Sequence, residues 1–335
     1  MILGIDEAGR GPWAGPLVVG AVVLGDAQID GLTDSKKLTK KRREVLEVEV
    51  LEKALATGLG WVSSEEIDVI GLGPALRLAT IRAVKEVDSS GVSYDEIIID
   101  GTINFLSETG KGRFVETMPK ADLLVPAVSA ASIIAKVARD RYMESLEADY
   151  PGYGFGSHAG YGTAKHRQAI DDLGVTPFHR LSFAPLKKYA DAKLSARGEP
   201  SSLSSGVAAN KEDPAASKTT KEIGDEAESG VCDYLVSRGH KIIERNWKTR
   251  YCEVDIISIC SGVTYFTEVK YRKNGDFGGG VSAVNQGKLE QMRFAAEMYL
   301  AQVAATKSVV SDQSFLAVAV VDGSSESRID WFKID

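Results

Sequence analysis

Asp6 and Glu7 stand side by side after the apolar run Met1 to Ile5, and Gly9-Arg10-Gly11 follows at once. Two adjacent carboxylates can hold a hard divalent cation. The glycines let backbone approach a ligand closely, and Arg10 can neutralise a phosphate. An isolated Asp-Glu pair reads more simply as a charged turn. Here the pair has company: Asp100 closes the apolar run Glu96 to Ile99, and Asp122 follows Met118-Pro119-Lys120-Ala121. Four carboxylates gathered in one pocket would repel each other and raise their pKa values unless cations sat between them. That is the logic of a two-metal site, with ions about 3.5–4 Å apart clamping the attacking and leaving oxygens of a phosphodiester.

The elements that must position these groups are legible in outline. Met1 to Ile5 and Glu96 to Ile99 read as strands ending on acids. Asp122 precedes a long helical stretch running through Arg141. Lys36, Lys37, Lys40, Lys41, Arg42 and Arg43 form a basic run at a loop–helix junction. Such a run is either a solvated helix start or a contact to a phosphate backbone, with Lys36 or Lys37 the candidates. Ser129 and Ser132 serve either close helix packing or the site. A lone histidine is more often structural, and His179 receives no catalytic role.

Residues 1–190 resemble ribonuclease HII, the type 2 ribonuclease H of bacteria. The resemblance rests on Gly4 to Pro12, Asp34-Ser35-Lys36-Lys37-Leu38, Asp100-Gly101 and Lys120-Ala121-Asp122. It continues through Ser129 to Val137, Tyr150 to Phe155, Gly160 to Thr163 and His179 to Phe183. It implies an RNase H-like mixed sheet flanked by helices. It implies four catalytic, metal-binding acids: Asp6, Glu7, Asp100 and Asp122. Mg²⁺ or Mn²⁺ would serve, since both suit oxygen ligands. Gly9, Arg10 and Gly11 would read the ribose 2′-OH, the handle that separates a ribonucleotide from its DNA neighbours. Tyr161 would stack on the sugar beside it, and Lys36 and Lys37 would bind substrate. The implied reaction nicks 5′ of ribonucleotides embedded in duplex DNA, and cleaves RNA in RNA–DNA hybrids, leaving 3′-hydroxyl and 5′-phosphate ends. Trp13 departs from the family's smaller apolar residue and is expected beside the Gly-Arg-Gly loop.

The chain has 335 residues, more than one typical domain. No apolar run reaches transmembrane length. A strand at the very start leaves no room for a signal peptide. Cys232, Cys252 and Cys260 form no CxxC pair, so neither a disulfide framework nor a zinc site is expected, and a reducing cytoplasm fits. The net charge of −7 argues against bulk electrostatic binding of nucleic acid, but bound metals would offset the site carboxylates. No sliding-clamp motif is evident.

Residues 191–221 are rich in Ala, Ser, Lys and Gly and lack aromatics, a composition that reads as a disordered tether. A second domain is expected over 222–335: a helix from Glu222 to Arg238, strands at Lys241 to Trp247, Glu253 to Ile259, Thr264 to Lys270 and Phe315 to Val321, and a helix from Gly287 to Ala301. Asp255 on one strand and Glu268-x-Lys270 on the next fit the PD-(D/E)xK nuclease pattern. Alternation puts Glu268 and Lys270 on one face. Gly224 to Leu300 resembles the YraN family, which implies a smaller α/β restriction-endonuclease-like fold. The matching residues include Glu228, Arg245-Asn246-Trp247, Glu253 to Ile257, Glu268 to Arg272 and Lys288. Glu228, Asp255, Glu268 and Lys270 form the candidate site. Cys252 replaces a turn glycine, and Leu316 stands where the family often has an acid.

The leading reading is therefore a two-domain repair nuclease whose second domain acts on branched or nicked DNA. The alternative keeps the ribonuclease and makes the second domain a non-catalytic DNA-binding module. A scaffold with a dead first domain conflicts with retention of all four acids. No membrane association is expected.

Overall fold

The computed structural model describes residues 1–189, 220–249, 251–272, 284–303, 313–323 and 328–334. The chain divides into two compact units, Met1–Glu199 and Pro200–Asp335. The expected tether, 191–221, lies outside the described residues except for its last two, which begin a helix.

The first unit is built on five strands: β1 (Ile2–Ala8), β2 (Leu17–Val23), β3 (Ala56–Val62), β4 (Glu96–Asp100) and β5 (Val115–Met118), in the order β3-β2-β1-β4-β5. β1 pairs antiparallel with β2 and parallel with β4, and β4 pairs parallel with β5. The sheet is mixed, with its parallel half reached by crossover connections. Between the strands lie α1 (Lys40–Lys53), α2 (Ser64–Ile70) and α3 (Leu72–Ser89). After β5 come α4 (Ala121–Leu124), α5 (Pro126–Asp149), α6 (Phe155–His158) and α7 (Ala164–Leu173).

α5 lies directly on the sheet. A Cβ at Gly4 would sit 2.2 Å from the Ala127 backbone carbon, so only glycine admits this approach. Gly60 plays the same part for α3: its Cβ would meet the Ala79 carbonyl at 1.8 Å. Leu59, between Gly58 and Gly60, joins the core on the α5 side, where Leu46 and Val50 of α1 also pack. Alternation along β3 therefore puts α3 and α5 on opposite faces.

The second unit has α8 (Thr220–Ser237), then β6 (Lys241–Lys248), β7 (Glu253–Cys260), β8 (Val263–Arg272), α9 (Gln286–Val303), β9 (Ser314–Asp322) and β10 (Ile329–Lys333). Its sheet order is β10-β9-β8-β7-β6, parallel only between β8 and β9. α8 begins two residues earlier than its sequence suggests, and β10 was not evident from its short mixed pattern. α8 buries Val231 and Leu235 with Ile256 and Val321. The α9 residue Tyr299 packs edge-on against Trp247 and Phe266. Phe266 pairs with Ile257, so the two helices cover opposite sheet faces.

Candidate active site

Strand register brings the first two acids together. Ile5 pairs with Ile99 across the parallel β1–β4 ladder, so Asp6 and Asp100 follow at the same level on adjoining strands. Asp100 in turn pairs with Met118 at the end of β5. Lys120 then takes a left-handed conformation (φ 64°), which turns the chain into α4 and Asp122. Asp100 Oδ1 accepts a 2.7 Å hydrogen bond from the Ala121 amide. Three segments distant in sequence thus end in one acidic pocket.

Burial and mutual repulsion disturb these carboxyls. Asp6, 8% exposed, is pushed up to about 8, first by desolvation and then by Glu7. Ser132 and the Glu7 amide donate hydrogen bonds that oppose the shift. Glu7 is raised by burial against the pull of Arg10, whose Nη1 lies 3.7 Å away. Asp122 is raised by burial and then by the charges of Asp100 and Asp34. Lys36 lowers both Glu7 and Asp122, which places its charge beside the pocket. Among the described residues, no group of three or more His, Cys, Asp or Glu side chains is arranged to hold a metal ion. The donor set nonetheless fits a hard cation that keeps several waters and takes few protein ligands.

The basic run divides. Arg43 caps the Ser35 and Leu38 carbonyls and pairs with Asp140, Arg42 donates to Asp30 O, and Lys40 pairs with Glu144. These three have intramolecular partners, and Lys36 and Lys37 remain the phosphate-contact candidates. Ser129 Oγ donates to the Asp122 carbonyl at 2.6 Å, and Ser132 meets Ser35 at 2.9 Å. Both serines tie α5 to the pocket.

Gly9 (φ 95°) lets the loop pass Arg139, whose Nε a Cβ there would meet at 2.2 Å. Buried Arg139 donates to the carbonyls of Ala14, Pro16 and Ala159. Buried Arg180 donates to those of Arg10 and Gly15. Desolvation lowers Arg139 to about 10, and lowers Arg180, with help from Arg139, to about 9. These arginines, given no role in the sequence analysis, brace the Gly-Arg-Gly loop. Tyr161, 45% exposed, sits over Gly11, with its Cε1 3.7 Å from where a Cβ would stand. Trp13 packs against Gly162, on the Tyr161 side of the loop.

In the second unit Asp255 Oδ2 accepts from the Val269 amide at 2.7 Å, which locks it beside β8. Glu268, 5% exposed, pairs with Lys270 at 2.7 Å through one oxygen and with Lys288 of α9 at 2.8 Å through the other. Asp255 is raised to about 6 by desolvation and then by Glu268, with Glu228 adding to the shift. Glu228 itself accepts from Asn246 at 2.8 Å. The four expected residues converge, and Lys288 joins them. Leu316 pairs with Phe266 and is buried, so that position carries no acid.

A model of the ribonuclease HII family matches residues 3–186, more than half of the sequence. The chain belongs to the ribonuclease HII family. A model of the uncharacterised protein family UPF0102 matches residues 227–330, the segment that resembles YraN. The ribonuclease HII of Ralstonia nicotianae is 50% identical over 192 residues, covering 57% of this chain and 80% of that protein. That of Halorhodospira halophila is 45% identical over 190 residues, covering 56% and 93%. A crystal structure of ribonuclease H2 from Pyrococcus horikoshii OT3 is 30% identical, covers 57% of this chain and 97% of that one, and superposes with a TM-score of 0.49.

The chain is accordingly a ribonuclease H, a hydrolase acting on nucleic acid. No helix among its described residues is long and apolar enough to cross a membrane. Sequence reasoning missed Asp34, which faces Asp122, and Lys288, which faces Glu268. Asp34 lies inside a matched motif, and that was the signal available. Lys288 had none beyond its place in the YraN resemblance.

Proposed function

We propose that the first unit hydrolyses the phosphodiester 5′ of ribonucleotides embedded in duplex DNA, and RNA in RNA–DNA hybrids, leaving 3′-hydroxyl and 5′-phosphate ends. The observation that carries this reading is the meeting of Asp6 and Asp100 at adjoining strand ends, beside Glu7 and Asp122. Asp6, Glu7, Asp100 and Asp122 would hold divalent cations, Mg²⁺ or Mn²⁺. When bound, such ions polarise the scissile phosphate and make an attacking water more acidic. Arg10 and Lys36 supply positive charge at the pocket rim for phosphate oxygens. Gly9 and Gly11 bring bare backbone close to the sugar, where a 2′-OH can be read. Tyr161 offers an exposed ring to the neighbouring nucleotide.

The second unit is proposed as a nuclease domain of residues 222–335, with branched or nicked DNA as substrate. Support comes from Asp255 and Glu268 side by side, with Lys270 on the same strand face to orient or activate water. The 191–221 segment would tether it to the first domain, residues 1–190, in the same cytoplasmic protein.

The test is cleavage by full-length wild type and Asp6→Asn, with Mg²⁺ or Mn²⁺. Substrates are a duplex with one ribonucleotide, a long hybrid, a nicked duplex and a four-way junction. Loss of ribonucleotide cleavage alone is the expected result. Wild-type nicking by the variant would refute the four-acid assignment. No cleavage of any all-DNA substrate by either protein would count against the second-unit nuclease.

A further inference from the structure

Three of the chain's four histidines, His158, His166 and His179, meet in one cluster of the first unit. His166 and His179 are fully buried. Their hydrogen bonds point to one tautomer each, with Thr176 bringing both its amide and its hydroxyl to His179 Nδ1, at 2.8 and 2.9 Å. A backbone N–H can only donate, and the Thr176 amide lies 2.8 Å from His179 Nδ1. That nitrogen is therefore the acceptor, and the ring proton sits on Nε2. His179 Nε2 lies 3.1 Å from His166 Nε2. Since His179 donates there, His166 Nε2 must accept, and its own proton sits on Nδ1. His166 Nδ1 lies 2.9 Å from the carbonyl oxygen of Tyr161, the one group in this chain of contacts that can only accept. His158 obeys the same logic: the Gly160 amide donates to its Nδ1, and its Nε2 donates to Tyr153 O.

We propose that Thr176 N–H, His179 and His166 form a one-directional hydrogen-bond relay that fixes the Tyr161 carbonyl, making both histidines positioning residues for the Tyr161 ring on the nucleic-acid side of the Gly-Arg-Gly loop. The relay runs from a buried loop to the one segment whose ring is exposed beside Gly11. Aromatic rings enclose it: Phe155 packs edge-on to His166, His158 stacks on it at 4.5 Å, and Tyr153 and Phe155 flank His179. An imidazolium would present two donors and break the relay at one contact. Burial holds His166 down at about 4, consistent with a neutral ring.

This inference rests on the reading of Tyr161 as the residue that stacks beside the ribonucleotide. Its test uses the full chain, ¹⁵N-labelled at histidine, with Mg²⁺. Long-range ¹H–¹⁵N spectra at neutral pH should show His179 protonated on Nε2 and His166 on Nδ1, assigned with His158→Gln and His240→Gln. A His166 found protonated on Nε2 would overturn the relay. His166→Phe keeps a ring and removes both hydrogen bonds. His166→Asn keeps a donor in the Nδ1 position. For His166→Phe, cleavage at a single ribonucleotide should fall on the order of tenfold relative to a long hybrid, the scale of a small misplacement. His166→Asn should recover most of that loss. An unchanged substrate ratio in His166→Phe, or no recovery in His166→Asn, would overturn the positioning role. Tyr161→Ala is run alongside. If it leaves the ratio unchanged, the stacking reading itself has failed and the positioning role falls with it, while the spectra still decide whether the relay exists.

Discussion

Asp100 accepts a 2.7 Å hydrogen bond from the Ala121 amide, which ties the end of β4 to the first turn of the helix carrying Asp122. One carboxylate is thereby both a ligand candidate and a fastener for its neighbour. Asp100→Asn keeps an acceptor for that amide and removes the charge. Cleavage should fall on the order of a hundredfold or more, because several kcal/mol of charge stabilisation is lost at about 1.4 kcal/mol per tenfold. The thermal midpoint should stay close to wild type. Steady-state nicking paired with thermal unfolding checks both halves, and a fully active variant would remove Asp100 from the site.

Asp6 makes a pH prediction for the metal-free protein. Its folded pKa, about 8, lies above the unfolded value of 3.8, so the folded state holds the proton more tightly. The contribution to stability is then fully present below about 4 and lost as pH rises toward 8. Urea unfolding in EDTA should show Asp6→Asn more stable than wild type at pH 8, and the gap should narrow at pH 5. Added Mn²⁺ should stabilise the wild type and leave the variant nearly unmoved. A variant less stable than wild type at pH 8 without metal would contradict the repulsion argument.

Gly4 tests the seating of α5. A methyl group there meets backbone atoms of Ala127 and Val128, which cannot rotate away. Gly4→Ala should cost about 1–3 kcal/mol, the range for overpacked cores. It should also lower activity more than stability alone explains, because Ser129 and Ser132 ride on the displaced helix. Activity measured at a temperature where the variant is fully folded separates the two effects.

In the second unit Lys288 and Lys270 occupy the two oxygens of Glu268. Removing either leaves a buried carboxylate with one cation, and removing both leaves it with none. Lys288→Ala and Lys270→Ala should each be destabilising, and the double variant more so than the sum, since single deletion of a buried partner is partly covered by the other. A double-variant cycle read by urea denaturation checks this; strict additivity would show that the lysines act independently.

The first site was legible because its acids terminate apolar runs, a pattern that survives projection onto one dimension. Asp6 and Asp100 could be paired on paper once their runs were taken as strands. The bracing of the loop by Arg139 and Arg180 was not legible, since an arginine donating to carbonyls leaves no partner charge to find. The same holds for His166 and His179, whose relation exists only through a loop and a helix folding over one another. In the second unit, alternation placed Glu268 and Lys270 correctly on one face. Lys288 came from a helix whose orientation no local pattern reveals. β10 was missed because Ile329 to Lys333 is short and mixes charged with aromatic residues.

The parallel pairing of β1 with β4 has a consequence for the life of the chain. Two acids from the first strand, one from the fourth and one beyond the fifth share no pocket until the crossover through α1, α2 and α3 has closed and α5 has docked on Gly4. Such distant pairings form late in folding. A nascent or partly unfolded chain therefore carries its carboxylates as separate, harmless charges. On the proposed assignment of these acids, cutting ability comes only with the completed sheet of the first unit.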